Sequence, residues 1–238
     1  MSEPVLYRVA KHTAFITLNR PDKRNALNQA LLAALYDAIE AGDGNPDIRV
    51  IVITGQDPAF CAGLDLDALT RENLLDPRGD GQDLPHIFET CRKPIIAAVN
   101  GAAITGGFEL ALNCDFMIAS EEARFADTHV RVGIHPGWGM TQHLQQGIGR
   151  RRARQMSFSA EPISARTAHA WGLVNEVVPH AELLVRTAEI TDQIAQANQD
   201  MLQTVRGLIN FRDRTGHREA LRHEREGFKV FVGQLFRT

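Results

Sequence analysis

Cysteine is scarce in this chain: Cys61, Cys91 and Cys114 are the only three, widely spaced and with no CxxC pair. That excludes a disulfide framework and argues against a thiolate zinc site, leaving reduced thiols of structural role in a core. A charge excess is missing too, with 26 basic against 29 acidic residues and a net charge of −3. At a pI near 6.3 there is no general attraction for nucleic acid. No apolar run reaches the length needed to span a bilayer, and the opening MSEPVLYRVA carries no signal-peptide pattern, so a cytoplasmic location is expected. No internal repeat is visible. What is there is a 44% hydrophobic complement in 238 residues, enough for one sizeable core with a helical appendage.

Strand-like runs cover 5–10 and 13–19. A helix follows, in which Leu27, Leu31, Leu35 and Ile39 recur at helical spacing, Asn28 is the expected cap and Gly42 the expected end. Further strands are expected at 48–54, from Pro94 to Val99 and from Asp115 to Ala119, with a second helix after Gly107. Such alternation predicts an α/β fold with a parallel-rich sheet and crossover helices. The polar stretch 70–85, TRENLLDPRGDGQDLP, has no period and reads as a mobile loop. From Ala181 the pattern is almost wholly helical, with Leu221, Phe228, Val232 and Leu235 on one stripe of the last helix.

Two turns carry the chemistry. In NGAAITGGFELALNCD, residues 100–115, Gly106 and Gly107 allow a sharp turn and close approach of a ligand to the backbone. Glu109 follows in the first helical turn, where unpaired amides favour negative charge. The segment reads equally as an ordinary surface turn with a solvated carboxylate or as a site for a developing oxyanion. In AFCAGLDL, residues 59–66, a strand and a loop lead into Ala62-Gly63-Leu64, a second turn with an exposed amide. Two amides can bracket one oxygen.

With these segments, together with NRPDKRNALN at 19–28, KPIIAAVNGAAITGGFELALNCD from Lys93, RFADTHVRVGIHPGWG at 124–139 and GLVNEVVP at 172–179, the chain resembles the crotonase (enoyl-CoA hydratase/isomerase) superfamily. The resemblance spans nearly the whole chain. It implies a spiral of ββα repeats over 1–180 with the acyl-CoA site, and a C-terminal helical region over 181–238 used in trimerisation, often as a dimer of trimers. It puts the amides of Leu64 and Gly106 at the oxyanion hole. It carries coenzyme A contacts onto Lys23, Arg24, Ala26 and Leu27, and onto Ala62, Gly63, Asp65 and Leu66. Lys23 and Arg24 suit phosphate oxygens, though they read equally as a solvated pair after a proline. Trp138 lines the acyl pocket or packs beneath the following helix. Near the C-terminus, where the family places an aromatic and a lysine by the adenine and 3′-phosphate, Arg237 is the candidate substitute.

By the same resemblance Glu109 is the first of two glutamates that family hydratases use, and His129 stands at the position of the second. An imidazole can accept and return a proton near neutral pH, so it is a candidate acid–base partner, or a polar lining of the pocket. Asp127, two residues before, would share its face if the segment were extended, and could orient the ring. His129, His135 and His143 match no metal-ligand spacing, so no metal is expected. No cofactor is expected either, coenzyme A being part of the substrate. The implied activity is hydration of a 2-enoyl-CoA to a 3-hydroxyacyl-CoA through a stabilised thioester enolate. Double-bond isomerisation on Glu109 alone, and acyl-CoA binding without catalysis, are the alternatives.

Overall fold

The computed structural model describes residues 3–235; Arg237 lies outside them. Two compact units divide the chain, the first running to Ala195 and the second starting at Gln196.

The first unit opens with the hairpin β1 (Val5–Ala10) and β2 (Thr13–Leu18), then α1 (Gln29–Gly44). Next come β3 (Val50–Gly55), β4 (Ala59–Cys61) and α2 (Leu84–Thr90), then β5 (Ile95–Val99), β6 (Ala102–Ile104) and α3 (Gly106–Leu112). The third such turn is β7 (Phe116–Ser120), β8 (Arg124–Ala126) and α4 (His129–Val132). Helices α5 (Met140–Ile148) and α6 (Arg150–Ser159), the two-residue β9 (Ile163–Ser164), α7 (Ala165–Ala170), β10 (Glu176–Val178) and α8 (Leu183–Gln196) complete it.

Each ββα turn gives its first strand to a six-stranded sheet, ordered β1-β2-β3-β5-β7-β10, and its second to a four-stranded sheet, ordered β4-β6-β8-β9. The pairs β3·β5, β5·β7, β4·β6 and β6·β8 are all parallel. Successive turns of the chain therefore step across both sheets together, which is the expected spiral. No sequence repeat betrays it, because burial asks only for apolar residues of roughly the right size at each step.

Helices cover both faces of the middle of the larger sheet, so its central strands β3, β5 and β7 are buried nearly throughout rather than alternating, whereas the edge strand β1 is mostly exposed. On β3, Ile51 and Ile53 pack with Leu31, Leu32, Leu35 and Ile39 of α1, while Val50 and Val52 face the other way, toward Leu183, Ile190 and Ile194 of α8. Helix α8 is thus part of the core layer, and the first unit extends past the expected boundary at residue 180. Asn28 caps α1 as expected, its side chain accepting from the Leu31 amide at 3.0 Å. Gly42 does not end that helix. A Cβ there would lie 3.1 Å from Ile51 Cδ1, so the glycine lets α1 sit close on β3.

The stretch 70–85 is not the free loop its polarity predicts. Arg78 reaches Glu40 with both terminal nitrogens, at 2.6 and 2.9 Å, and Asp37 at 3.0 Å. Glu72 accepts from the Gln29 amide at 2.8 Å, and Leu74 and Leu84 are buried. Charges that read as solvent-facing are matched to carboxylates on the outer face of α1, forty residues away in sequence.

In the second unit α9 (Gln199–Arg214) and α10 (His217–Leu235) pack together, with the rings of Phe211 and His223 stacked at 4.3 Å. Met201, Val205 and Ile209 form an exposed apolar row on α9, and Leu221, Phe228 and Phe231 are exposed on α10.

Candidate active site

Parallel pairing of β4 with β6 delivers both glycine turns to one place. Cys61 lies opposite Ala103, so the chain leaving β4 at Ala62-Gly63-Leu64 meets the chain leaving β6 at Thr105-Gly106. A Cβ on Gly106 would lie 3.4 Å from the Leu64 nitrogen, and one on Gly63 would lie 3.3 Å from the Gly106 nitrogen. Leu27 holds the first turn: its amide donates to Gly63 O at 2.8 Å, and its carbonyl accepts from Asp65 at 2.9 Å. Leu64 falls between those two bonds. Among the described residues neither the Leu64 nor the Gly106 amide donates a hydrogen bond. Two neighbouring unpaired amides are what an oxyanion needs.

Gly107 has a different duty. A Cβ on it would sit 2.2 Å from the Cys61 carbonyl oxygen, so only glycine lets α3 pack against β4. Cys61 itself is buried, its thiol bonded to Asn25 O and pushed up to about 12 by that burial, which a Gly63 amide only partly offsets. Cys91 and Cys114 are likewise buried and unbridged.

Thr105, absent from the sequence reading, is the strained element. At φ 49°, ψ −111° it occupies a region that β-branched residues avoid. Its amide donates to Ala126 O at 2.8 Å, its hydroxyl is bonded to the Thr128 hydroxyl, and Thr128 N donates to that same oxygen at 3.2 Å. Nothing in the sequence marks it, because the strain is imposed by a strand twenty residues on.

Glu109 is not a solvated first-turn carboxylate: it is 3% exposed. Its Oε1 accepts from the amides of Trp138 at 2.9 Å and Met140 at 3.1 Å. The first amide belongs to the turn Gly137-Trp138-Gly139 and the second to Met140, which opens α5; Asn113 secures the turn by donating to Trp138 O at 2.8 Å. The indole of Trp138 is buried and its edge lies 3.5 Å from where a Gly106 Cβ would be. It therefore flanks the amide pair and packs at once.

The other oxygen, Oε2, faces His129 Nε2 at 3.7 Å. His129 opens α4 and is 6% exposed. Its Nδ1 lies 2.7 Å from Asp127 Oδ1, which also accepts the His129 amide at 3.2 Å. The two do not share a strand face, since β8 ends at Ala126; a local turn brings them together instead. Burial pushes the Asp127 carboxyl up, but hydrogen bonds from the His129 ring, Ser157 and the His129 amide outweigh it and hold the group below its ordinary value. His135 bonds Pro136 O, and His143 lies beside Gly139. Among the described residues no group of His, Cys, Asp and Glu is arranged to hold a metal.

The segment expected to carry coenzyme A runs alongside the first turn. Ala62 N donates to Arg24 O at 3.0 Å, and Leu27 is bridged to Leu64. Lys23, Arg24 and Leu66 are exposed, and Ala26 and Ala62 half-buried. Leu27 is fully buried and Gly63 nearly so, so these two shape the turn through backbone. Asp65 is engaged internally by Arg20 at 3.0 Å; although burial raises its carboxyl, that bond and charge hold it below the ordinary value. Arg20 and Asn25 were missed by the sequence reading. Asn25 is buried at φ 57°, its side-chain amide donating to Gln56 O and Ala59 O at 2.8 and 2.7 Å.

Comparison with known proteins agrees with this geometry. The family model for enoyl-CoA hydratase/isomerase matches residues 9–234. A probable peroxisomal enoyl-CoA hydratase 1 of Arabidopsis thaliana is 41% identical over 201 residues, 83% of this chain and 74% of that one. The 2,3-dehydroadipyl-CoA hydratase of Escherichia coli K12 is 36% identical over 98% of this chain and 91% of its own. The crystal structure of an enoyl-CoA hydratase from Mycobacterium tuberculosis H37Rv superposes with a TM-score of 0.81 at 39% identity, covering 97% and 99% of the two chains. With paired amides, a buried glutamate and a two-sheet spiral matched along almost its whole length, the chain belongs to the enoyl-CoA hydratase/isomerase family.

Proposed function

We propose that the chain adds water across the double bond of a 2-enoyl-CoA thioester. The carrying observation is the buried Glu109 carboxylate beside the unpaired amides of Leu64 and Gly106. The thioester oxygen lies between those amides. The water oxygen bonds to C3, the C2–C3 π pair moves into the enolate, and C2 takes a proton. Glu109 Oε2 and His129 Nε2 divide the proton work: the group that enters unprotonated removes the water proton, the group that enters protonated supplies the α proton to C2, and a proton then passes from the first to the second to restore the starting state. Oxyanion stabilisation of this kind contributes about 3–4 kcal/mol per donor.

Lys23 and Arg24, exposed beside the Ala62–Leu66 turn, suit the phosphates of coenzyme A, and Trp138 lines the acyl end. The exposed apolar row on α9 and α10 supports assembly as a homotrimer or dimer of trimers. No described helix is long and apolar enough to cross a membrane. The cytoplasm is the compartment we assign, although relatives include a peroxisomal and a mitochondrial form by name.

Relatives named as hydratases support hydration over isomerisation and over binding without catalysis. The test is incubation with 2-enoyl-CoA and 3-enoyl-CoA in ¹⁸O-labelled water. Label in a 3-hydroxyacyl product supports the reading. A shifted double bond without label makes the protein an isomerase, and tight binding with no product makes it a carrier.

A further inference from the structure

Proton exchange at this site depends on which nitrogen of His129 is free, and the neighbours decide that. Asp127 is buried, and one of its oxygens accepts both the ring Nδ1 and the amide of His129. An ionised carboxylate only accepts, so Nδ1 must carry a proton. In the neutral ring Nε2 is then the lone pair. It points at Glu109 Oε2, the oxygen left over after Oε1 has accepted the Trp138 and Met140 amides. At 3.7 Å the two atoms are beyond direct hydrogen-bond range, yet both can reach one oxygen placed between them.

We propose that Asp127 is a positioning residue that locks His129 in the tautomer protonated at Nδ1, so that Nε2 faces Glu109 as the base. Without the carboxylate the proton can settle on Nε2, and the site then presents Glu109 with a donor and lacks the base that takes the water proton. Asp127 also stabilises the imidazolium formed when Nε2 takes a proton. Its distance from the reacting atoms, one imidazole removed, makes its effect pass through His129 alone. The catalytic part of this inference rests on the hydratase reading; the tautomer stands on the hydrogen bonds.

The experiment has two arms. In ¹⁵N-histidine-labelled protein, with the His129 resonances assigned by their loss in His129→Gln, the wild type should show one-bond proton coupling at Nδ1 and an unprotonated Nε2. Asp127→Asn should move population toward the Nε2 proton. A wild-type ring protonated at Nε2 alone overturns the proposal, as does an Asp127→Asn spectrum unchanged from wild type. In the kinetic arm, Asp127→Asn should lower kcat by about 100-fold or more with little change in KM. The pair Asp127→Asn/His129→Ala should then be no slower than His129→Ala, since residues acting as a unit are non-additive. Additive losses would show that Asp127 acts apart from His129. Should the wild type hydrate nothing, the hydratase reading fails, while the spectra still decide the tautomer. They need only the wild type and the assignment variant His129→Gln, whatever Asp127→Asn does to stability.

Discussion

The two halves of the site are made of different material. Leu64 and Gly106 contribute backbone amides set by turn geometry, whereas Glu109, His129 and Asp127 contribute side chains set by burial and hydrogen bonding. In the first half the identity of a side chain matters only through the space it takes. In the second half identity is everything, because the proposed proton transfers run through those side chains. Adjacent Gly106 and Gly107 show how finely the first half divides between fold and function.

Gly107→Ala should have the largest effect, since its methyl would meet Cys61 O at 2.2 Å. Loss of soluble folded protein, or a Tm lowered by many degrees, is expected; a melting curve like that of wild type would show that α3 can shift on β4. Glu109→Gln follows, with kcat lowered by about 10²–10⁴-fold while acyl-CoA affinity by calorimetry stays near that of wild type. Unchanged turnover would remove Glu109 from the mechanism and leave the amide half to work alone.

Gly106→Ala separates the two glycines. Its methyl meets nothing closer than 3.4 Å, so the fold should tolerate it, but it crowds the Leu64 nitrogen, where the proposed mechanism places the thioester oxygen. A kcat loss of about 10²-fold with a nearly unchanged Tm is expected, and equal damage to stability would merge the two glycines into one structural role. On acidification, Asp65 and Asp127 act together, one in each half. Both carboxyls are held below their ordinary value in the fold, so their stabilisation is present above about pH 3.9 and is lost as pH falls through the folded values. Tm should therefore decline in that window, less steeply in Asp65→Asn; a Tm independent of pH there would contradict the pairing with Arg20.

The smallest effect is expected for Leu64→Ala, because the donor is the amide. Turnover within about 3-fold of wild type is consistent with the amide role, whereas a loss as large as that of Gly106→Ala would mean that the Leu64 side chain shapes the pocket.

Much of the amide half was legible in the residues. Paired glycines after strand-like runs announce close backbone approach, and α1 is plain from Leu31, Leu35, Ile39 and its Asn28 cap. Gly42 misled because glycine has two uses, ending a helix or permitting a close approach, and only the neighbouring Ile51 tells them apart. The segment 70–85 misled because polarity does not reveal whether charges face water or partners; Arg78 faces Asp37 and Glu40. Thr105 was invisible, since a threonine before Gly106 has no local reason to be strained. Glu109 and His129 could be singled out, but not the Trp138 and Met140 amides that hold one and the Asp127 contact that orients the other.

By itself the sequence determined most of the helices, the strands of the larger sheet, and a glycine turn at Gly106-Gly107 with Glu109 in the helix behind it; the role of that turn and of Leu64 as paired amides was carried by the family resemblance. The former follow from periodicity, capping and the conformational freedom of glycine, all of which act over a few residues. Only the tertiary structure decided that β4 and β6 pair in parallel so that Leu64 and Gly106 meet, that Glu109 Oε2 faces His129 Nε2, and that α8 belongs to the core. Those are contacts between residues tens to more than a hundred positions apart, set by how layers pack rather than by any local preference.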